Sequence, residues 1–269
     1  MPKVLPEIER AIIKKFRGRL WGPFVKAVKE YELIVPGDHI AVCISGGKDS
    51  LLLAKLLQEL HRHGERNFSL SFIAMDPGYL PEKRQDLMRA LDHLQIPCEV
   101  YDSDIFEVAD ELAGEYPCYL CARMRRGSLY AKAQELGANK IALGHHFDDV
   151  VETILLNILY AGKYNTMMPK LRAKNFPGME LIRPLVYIKE EDILRFTDFA
   201  GLRPLDCACT VTAQKTGNRR YQMKAILSRL RDEIPNVDIS IYRSAQNVQL
   251  DQVLGFTREN EKHFFTDDY

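Results

Sequence analysis

His39-Ile40-Ala41-Val42-Cys43-Ile44-Ser45-Gly46-Gly47-Lys48-Asp49-Ser50-Leu51-Leu52-Leu53 reads as a short buried strand, a tight glycine turn and the start of a helix. Val42, Cys43 and Ile44 form the unbroken apolar run of a strand covered on both faces. Gly46 and Gly47 have no Cβ, so the backbone turns sharply there and presents its amides to a ligand. From Ser50 to Glu59, good helix formers carry apolar residues at helical spacing. A helix N-terminus behind a glycine loop favours anions, because its first amides lack partners and the helix dipole is positive there. Lys48 adds a mobile cation, and Ser45 and Ser50 add hydroxyl donors. These residues predict a phosphate cradle.

The spacing is not the Walker pattern GxxxxGK[ST]. Ser45-Gly46-Gly47-Lys48-Asp49-Ser50 instead resembles the PP-loop of the ATP pyrophosphatases, which split ATP between its α- and β-phosphates. The plain alternative is an ordinary strand-to-helix turn with a solvated lysine.

Around this core, strands and helices alternate. Leu70 to Met75 reads as a second strand, closed by Asp76-Pro77-Gly78, and Pro81 opens a helix to about Leu94. Glu99-Val100-Tyr101 is a third strand and Lys140-Ile141-Ala142-Leu143 a fourth, followed by a helix from about Asp148 to Tyr160. Leu181-Ile182-Arg183, stopped by Pro184, is a fifth. This pattern predicts an α/β fold with a doubly wound, parallel five-stranded sheet and ligands at the carboxyl ends of its strands.

Residues 3–34 read as helical, broken into two helices at Pro23. Their Lys14, Lys15, Arg17 and Arg19 form a solvated face or, alternatively, a nucleic-acid contact. Beyond Pro184 the pattern is helical over Lys189 to Ala200 and Asn218 to Ile234, while Asp238 to Tyr242 is ambiguous. The tail is expected to be disordered beyond Phe264-Phe265. The expected division is 1–34 as a helical segment, 35–186 as the α/β domain and 187–269 as a helical C-terminal region.

The chain has 269 residues, 46% hydrophobic and 28% charged, which suits a protein with a substantial core. Lys plus Arg and Asp plus Glu both number 37, so any basic surface for nucleic acid must be local. No apolar run approaches the ~20 residues of a membrane span, and the N-terminus lacks a signal-peptide pattern. The expectation is a cytoplasmic protein with no membrane partner. Its six cysteines are then thiols, metal ligands or redox groups rather than disulfides.

Four of those cysteines cluster, as Cys118-Tyr119-Leu120-Cys121 and Cys207-Ala208-Cys209. CxxC with CxC supplies four thiolates for structural zinc, or three for a cubane cluster with one iron left open. Unligated buried thiols are the plain alternative. Cys43 and Cys98 read as core. Arg123, Arg125 and Arg126 follow Cys121, where they either lower thiol pKa or meet RNA phosphates. In Gly144-His145-His146-Phe147-Asp148-Asp149, Asp148 and Asp149 either cap the next helix or hold Mg²⁺ through water. His145 either reaches the nucleotide or packs within the turn. A site role is favoured, because this loop and the PP-loop should face each other.

Further strings add detail: Leu156-Asn157-Ile158-Leu159-Tyr160-Ala161-Gly162-Lys163, Pro169-Lys170-Leu171, Ile182-Arg183-Pro184-Leu185 and Ser244-Ala245-Gln246-Asn247-Val248. With the PP-loop, the central CxxC and the Gly-His-His-x-Asp-Asp turn, they resemble the tRNA 2-thiocytidine synthetase family over roughly residues 35–248. Members of that family replace the 2-oxygen of an anticodon-loop cytidine with sulfur. The resemblance implies ATP, Mg²⁺, a [4Fe-4S] cluster and tRNA. It also implies a sulfur donor such as a cysteine desulfurase or free sulfide, with oligomeric state open and a homodimer one candidate.

The same resemblance makes Cys118, Cys121 and Cys207 the cluster ligands. Here the later pair is CxC where the family carries CxxC, so Cys209 is either an alternative ligand or a sulfur-handling thiol. Lys48, Asp49, Asp149 and Cys209 are then the candidate catalytic residues. Ser45, Gly46, Gly47, Lys48, Asp49, Ser50, Met75, Gly144 and His145 are the candidate nucleotide contacts, and Asp148 and Asp149 the candidate Mg²⁺ ligands. The rival readings are a thiolase for another base or a small molecule, and a nucleotide-binding iron–sulfur sensor without turnover.

Overall fold

The computed structural model describes residues 2–64, 67–103, 117–205 and 217–268. Strands β1 (His39–Cys43), β2 (Ser69–Asp76), β3 (Cys98–Asp102), β4 (Lys140–Ala142), β5 (Lys170–Arg172) and β6 (Glu180–Ile182) form one sheet. Its order is β3-β2-β1-β4-β6-β5. Every neighbouring pair is parallel except β5, which runs antiparallel along the edge of β6. The expected five parallel strands are present, and β5 is an addition that no sequence signal marked.

Strand alternation explains the two cores. On β1 and its continuation, Ile40, Val42 and Ile44 face one hydrophobic cluster, whereas Ala41 and Cys43 face the other. The larger cluster packs α1 (Leu5–Ile13), α2 (Gly22–Glu30), α3 (Lys48–His63), α4 (Pro81–His93), α6 (Phe147–Ala161) and α7 (Glu190–Ala200) against the sheet. The smaller is closed by α5 (Pro117–Glu135), whose Tyr130 stacks on Phe176 at 4.8 Å. With helices on both faces, β1 is central and dry. Each Leu of α3 fully buried there contributes about 1.5–3 kcal/mol.

Pro23 stands in the first turn of α2, where its missing N–H costs nothing, and a π-helical turn at Arg17–Trp21 joins α1 to it. Two further helices follow α7: α8 (Gly217–Glu233) and α9 (Val237–Ser244). The ambiguous segment Asp238–Tyr242 is therefore helical. Its period-2 pattern yields to tertiary packing, since Tyr242 stacks on Phe147 at 5.2 Å and bonds Tyr31 at 3.1 Å. The tail is not shapeless either. β7 (Gly255–Arg258) and β8 (Glu261–Phe264) form a hairpin, and residues 265–268 make a 3₁₀ turn. Glu259 and Asn260, both at positive φ, supply the tight turn that the strand twist requires. No helix among the described residues is long and apolar enough to cross a membrane.

Candidate active site

The loops after β1, β2 and β4 meet at the carboxyl end of the sheet. Gly46, at φ +79°, makes the sharp turn, and a Cβ there would lie 2.6 Å from Leu205 Cδ1. Gly47 is the N-cap of α3 and no side chain caps that helix. The Ser50 hydroxyl accepts from Ser45 N at 3.2 Å and donates to Gly47 O at 2.9 Å, which holds the turn closed. Gly144 comes so close that a Cβ would lie 3.0 Å from Asp49 C and 3.1 Å from Ser50 N. The two loops therefore touch through backbone.

Between them lies a cavity of about 360 Å³, lined among others by Ser45, Asp49, Ser50, Met75, Gly144 and His145. Its size lies within the range of nucleotide-sized sites. Cys43 also reaches it, but burial pushes that thiol up to about 12, so it is a neutral wall residue. The Cys98 thiol is likewise raised to about 12 by burial.

Several polar atoms at this cavity are poised for a ligand. Asp49 Oδ1 and His145 Nδ1 are buried without a hydrogen-bond partner, a costly condition that an incoming ligand relieves. Burial drives the His145 imidazole down to about 4 against the pull of Asp149, so it is uncharged near neutral pH. It can meet a nucleotide as a hydrogen-bonding group but not as a cation. Burial raises the Asp49 carboxyl, partly offset by His146 and Lys48. Burial works the same way on Asp149, but the neighbouring His146, whose backbone N–H donates to it, and Arg220 hold that carboxyl below its ordinary range.

His146 organises the turn. It caps α6 with its ring, accepting from Asp149 N at 3.4 Å, while Asp149 Oδ2 accepts from His146 N at 2.9 Å. Asp149 is thus both cap and cavity wall. Asp148 faces elsewhere: it accepts from Glu190 N at 2.7 Å and from Arg231 at 2.6 Å. Lys48 Nζ reaches Asp49 Oδ2 at 3.2 Å and Glu190 Oε1 at 3.1 Å. Arg220 approaches Asp149 at 3.7 Å and Glu152 at 3.9 Å.

Ser45, Gly46, Gly47, Lys48, Asp49, Ser50, Met75, Gly144, His145 and Asp149 thus converge at one end of the sheet. Cys118 and Cys121 fall in the opening turns of α5, one helical turn apart, while Cys207 and Cys209 lie outside the described residues. Glu190, Glu152 and the inward orientation of Arg220 and Lys224 escape sequence reasoning. Glu190 looks like any acidic residue in a first helical turn, and Arg219, Arg220 and Lys224 read as a helical basic patch that either contacts RNA or is a solvated face. All three are partly solvated, but Arg220 and Lys224 reach acidic groups of the site while Arg219 lies over the Tyr160 ring at 4.9 Å.

Comparison with known proteins identifies the family. The family model for the PP-loop domain matches residues 23–206. The tRNA-cytidine(32) 2-sulfurtransferase of Pelobacter propionicus is 40% identical over 260 residues, covering 94% of this chain and 95% of the relative. The one from Acaryochloris marina is 39% identical over 243 residues, covering 90% and 85%. Among solved structures, the U34-tRNA thiolase NcsA of Methanococcus maripaludis, determined with its [4Fe-4S] cluster, shares the fold. Its TM-score is 0.67 at 22% identity, covering 93% of this chain and 82% of that one. A PP-loop domain spanning most of the chain, and such relatives along nearly all of it, show that the chain belongs to the PP-loop family of tRNA-cytidine(32) 2-sulfurtransferases.

Proposed function

We infer that this protein is an ATP-dependent tRNA thiolase that replaces the 2-oxygen of cytidine 32 with sulfur. The observation that carries the reading is the uncapped N-terminus of α3, which Lys48 opens and whose Asp49 and Ser50 meet Gly144 and His145 across one nucleotide-sized cavity.

A base carbonyl oxygen is a poor leaving group and must first be activated. The cytidine 2-oxygen attacks the α-phosphorus of ATP, the bond to the β-phosphate oxygen breaks, and pyrophosphate leaves. Sulfide then adds at the activated carbon, and AMP departs carrying the original oxygen. The amides of the 45–48 turn and the dipole of α3 receive the phosphates, and Lys48 neutralises charge that grows on the leaving group. Neutral His145 orients the nucleotide by hydrogen bonding. Asp49 and Asp149 suit a Mg²⁺ ion that keeps its waters, since Asp49 Oδ1 is buried and unpartnered and Asp149 is held ionised. Asp148, bonded to Arg231 and Glu190, steadies the turn beside it. Cys118, Cys121 and Cys207 would hold an iron–sulfur cluster, which would supply the sulfur, with Cys209 the alternative ligand or sulfur carrier.

Mass-spectrometric nucleoside analysis of tRNA from a strain lacking the gene tests the reading. Loss of 2-thiocytidine alone, restored by the wild-type gene and not by Lys48→Ala, is the expected result. Loss of a different thionucleoside keeps the chemistry and moves the base; an unchanged profile overturns the tRNA assignment. Cys118→Ala should lose cluster iron while retaining ATP binding, and iron content at the wild-type level would remove that ligand.

A further inference from the structure

The PP-loop lysine shares its counter-ion. Glu190 Oε1, 3.1 Å from Lys48 Nζ, also accepts from Lys224 Nζ at 3.1 Å, and Glu190 Oε2 accepts from Lys224 at 2.9 Å. Two ammonium groups on one oxygen atom can stand no farther apart than those two contacts laid end to end. Lys48 opens α3 at the phosphate loop, whereas Lys224 belongs to α8, far along the chain.

This meeting is built rather than casual. Glu190 is the first residue of α7, and its N–H is anchored on Asp148 at 2.7 Å. Asp148 is in turn gripped by Arg231 of α8 at 2.6 Å. Arg220, Lys224 and Arg231 repeat at helical spacing, so one face of α8 turns three cations toward the acidic groups of the site. Burial works to raise the Glu190 carboxyl, but Lys224 and Lys48 outweigh it and hold it down at about 2. Glu190 therefore remains an anion at any working pH.

We propose that Lys224 is a second phosphate-binding cation of the ATP site, paired with Lys48 on the β- and γ-phosphates, and that Glu190 holds both lysines together until nucleotide arrives. The proposal rests on the reading that ATP is cleaved to AMP and pyrophosphate here. Pyrophosphate leaves with more negative charge than the bound triphosphate segment carried, and a second ammonium beside Lys48 stabilises that increase. When ATP enters, its phosphate oxygens replace the Glu190 carboxylate as acceptors for both lysines. Helix α8 thereby becomes part of the nucleotide site, although Lys48 and Lys224 are far apart in the chain.

Calorimetric titration of the full-length, cluster-bearing protein with ATP and with AMP, in Mg²⁺ and without tRNA, tests this. Lys224→Met should weaken ATP binding about tenfold, the scale of one charge-assisted contact, and leave AMP binding within about twofold. Lys224→Arg should restore most of the difference. Glu190→Gln should tighten ATP binding and leave AMP binding unchanged, because a competing anion has gone. Equal losses for ATP and AMP in Lys224→Met would make Lys224 merely structural and overturn the proposal, as would unchanged ATP binding. Weaker ATP binding in Glu190→Gln would overturn the holding role of that carboxylate. A wild-type protein that binds ATP no better than AMP would instead overturn the phosphate-loop reading itself.

Discussion

Gly144 shows how little room the site leaves. A Cβ at this position meets the backbone of Asp49 and Ser50 at 3.0–3.2 Å, and backbone cannot swing aside as a side-chain tip can. Gly144→Ala should therefore push the two loops apart, cost about 1–3 kcal/mol of stability, and weaken ATP binding; a thermal melt and an ATP titration at wild-type values would contradict this. Glu152 offers a test through pH. Its Oε2 is buried without a hydrogen-bond partner, and burial raises the carboxyl to about 7 despite the opposing pull of Lys224. An unfolded chain releases that proton near 4.5, so the folded state binds it more tightly. Its contribution to stability is fully present below pH 4.5, is lost as pH rises through 7, and is absent above. Glu152→Gln, which cannot ionise, should unfold at higher urea than wild type at pH 8 and at the same urea at pH 4.5. A difference independent of pH would sink the assignment.

Among the elements, β4 is short, and a polar lock at its amino end holds it in register. Lys140 Nζ, almost wholly buried, reaches Asp38 at 2.7 Å and donates to Leu33 O at 3.0 Å. Asn139 completes the clasp by donating to Asp38 at 2.9 Å and accepting from His39 N at 2.8 Å. Breaking a buried pair by removing one partner strands the other charge, so Lys140→Met should cost about 3–5 kcal/mol. Because the lock lies at the end of the sheet opposite the phosphate loop, AMP and ATP affinities of the folded variant should match wild type. Denaturation and nucleotide titration of one preparation separate the two effects, and nucleotide affinity lost at low temperature would argue against this division.

Over the whole molecule the charges cancel, so tRNA must find a local basic surface. Of the N-terminal cations, Arg19 pairs with Asp192 and Lys15 lies over the Phe199 ring, while Lys14 and Arg17 are exposed. The loop and edge strand after α6 expose Lys163, Arg172 and Lys174, while Lys170 is engaged by Glu32 O and Glu180. Replacing Lys163, Arg172 and Lys174 by alanine should lower tRNA affinity. It should also make binding less salt-dependent, by about one unit of slope for every phosphate that no longer meets a cation. Filter binding across a salt series checks this; unchanged affinity at low salt would direct the search to another face.

The sequence alone determined the parallel sheet, the phosphate loop and the family, because each rests on local signals. A buried strand needs an apolar run, a glycine turn needs glycine, and His39 to Ser50 states both within twelve consecutive residues. The facing of Gly144 to the phosphate loop was also legible, since parallel topology puts every strand's carboxyl end on one side. What the sequence left undecided depends on contacts between distant segments. Asp238–Tyr242 alternates like a strand yet is helical, because Tyr242 finds Phe147 and Tyr31. Asp148 and Asp149 are adjacent and chemically identical, but the helix turn between them points one toward Arg231 and the other at the cavity. Nothing in their own sequences distinguishes Glu190 or Lys224 from surface charges. Only the tertiary structure, by packing α7 and α8 against the start of α3, placed both beside Lys48.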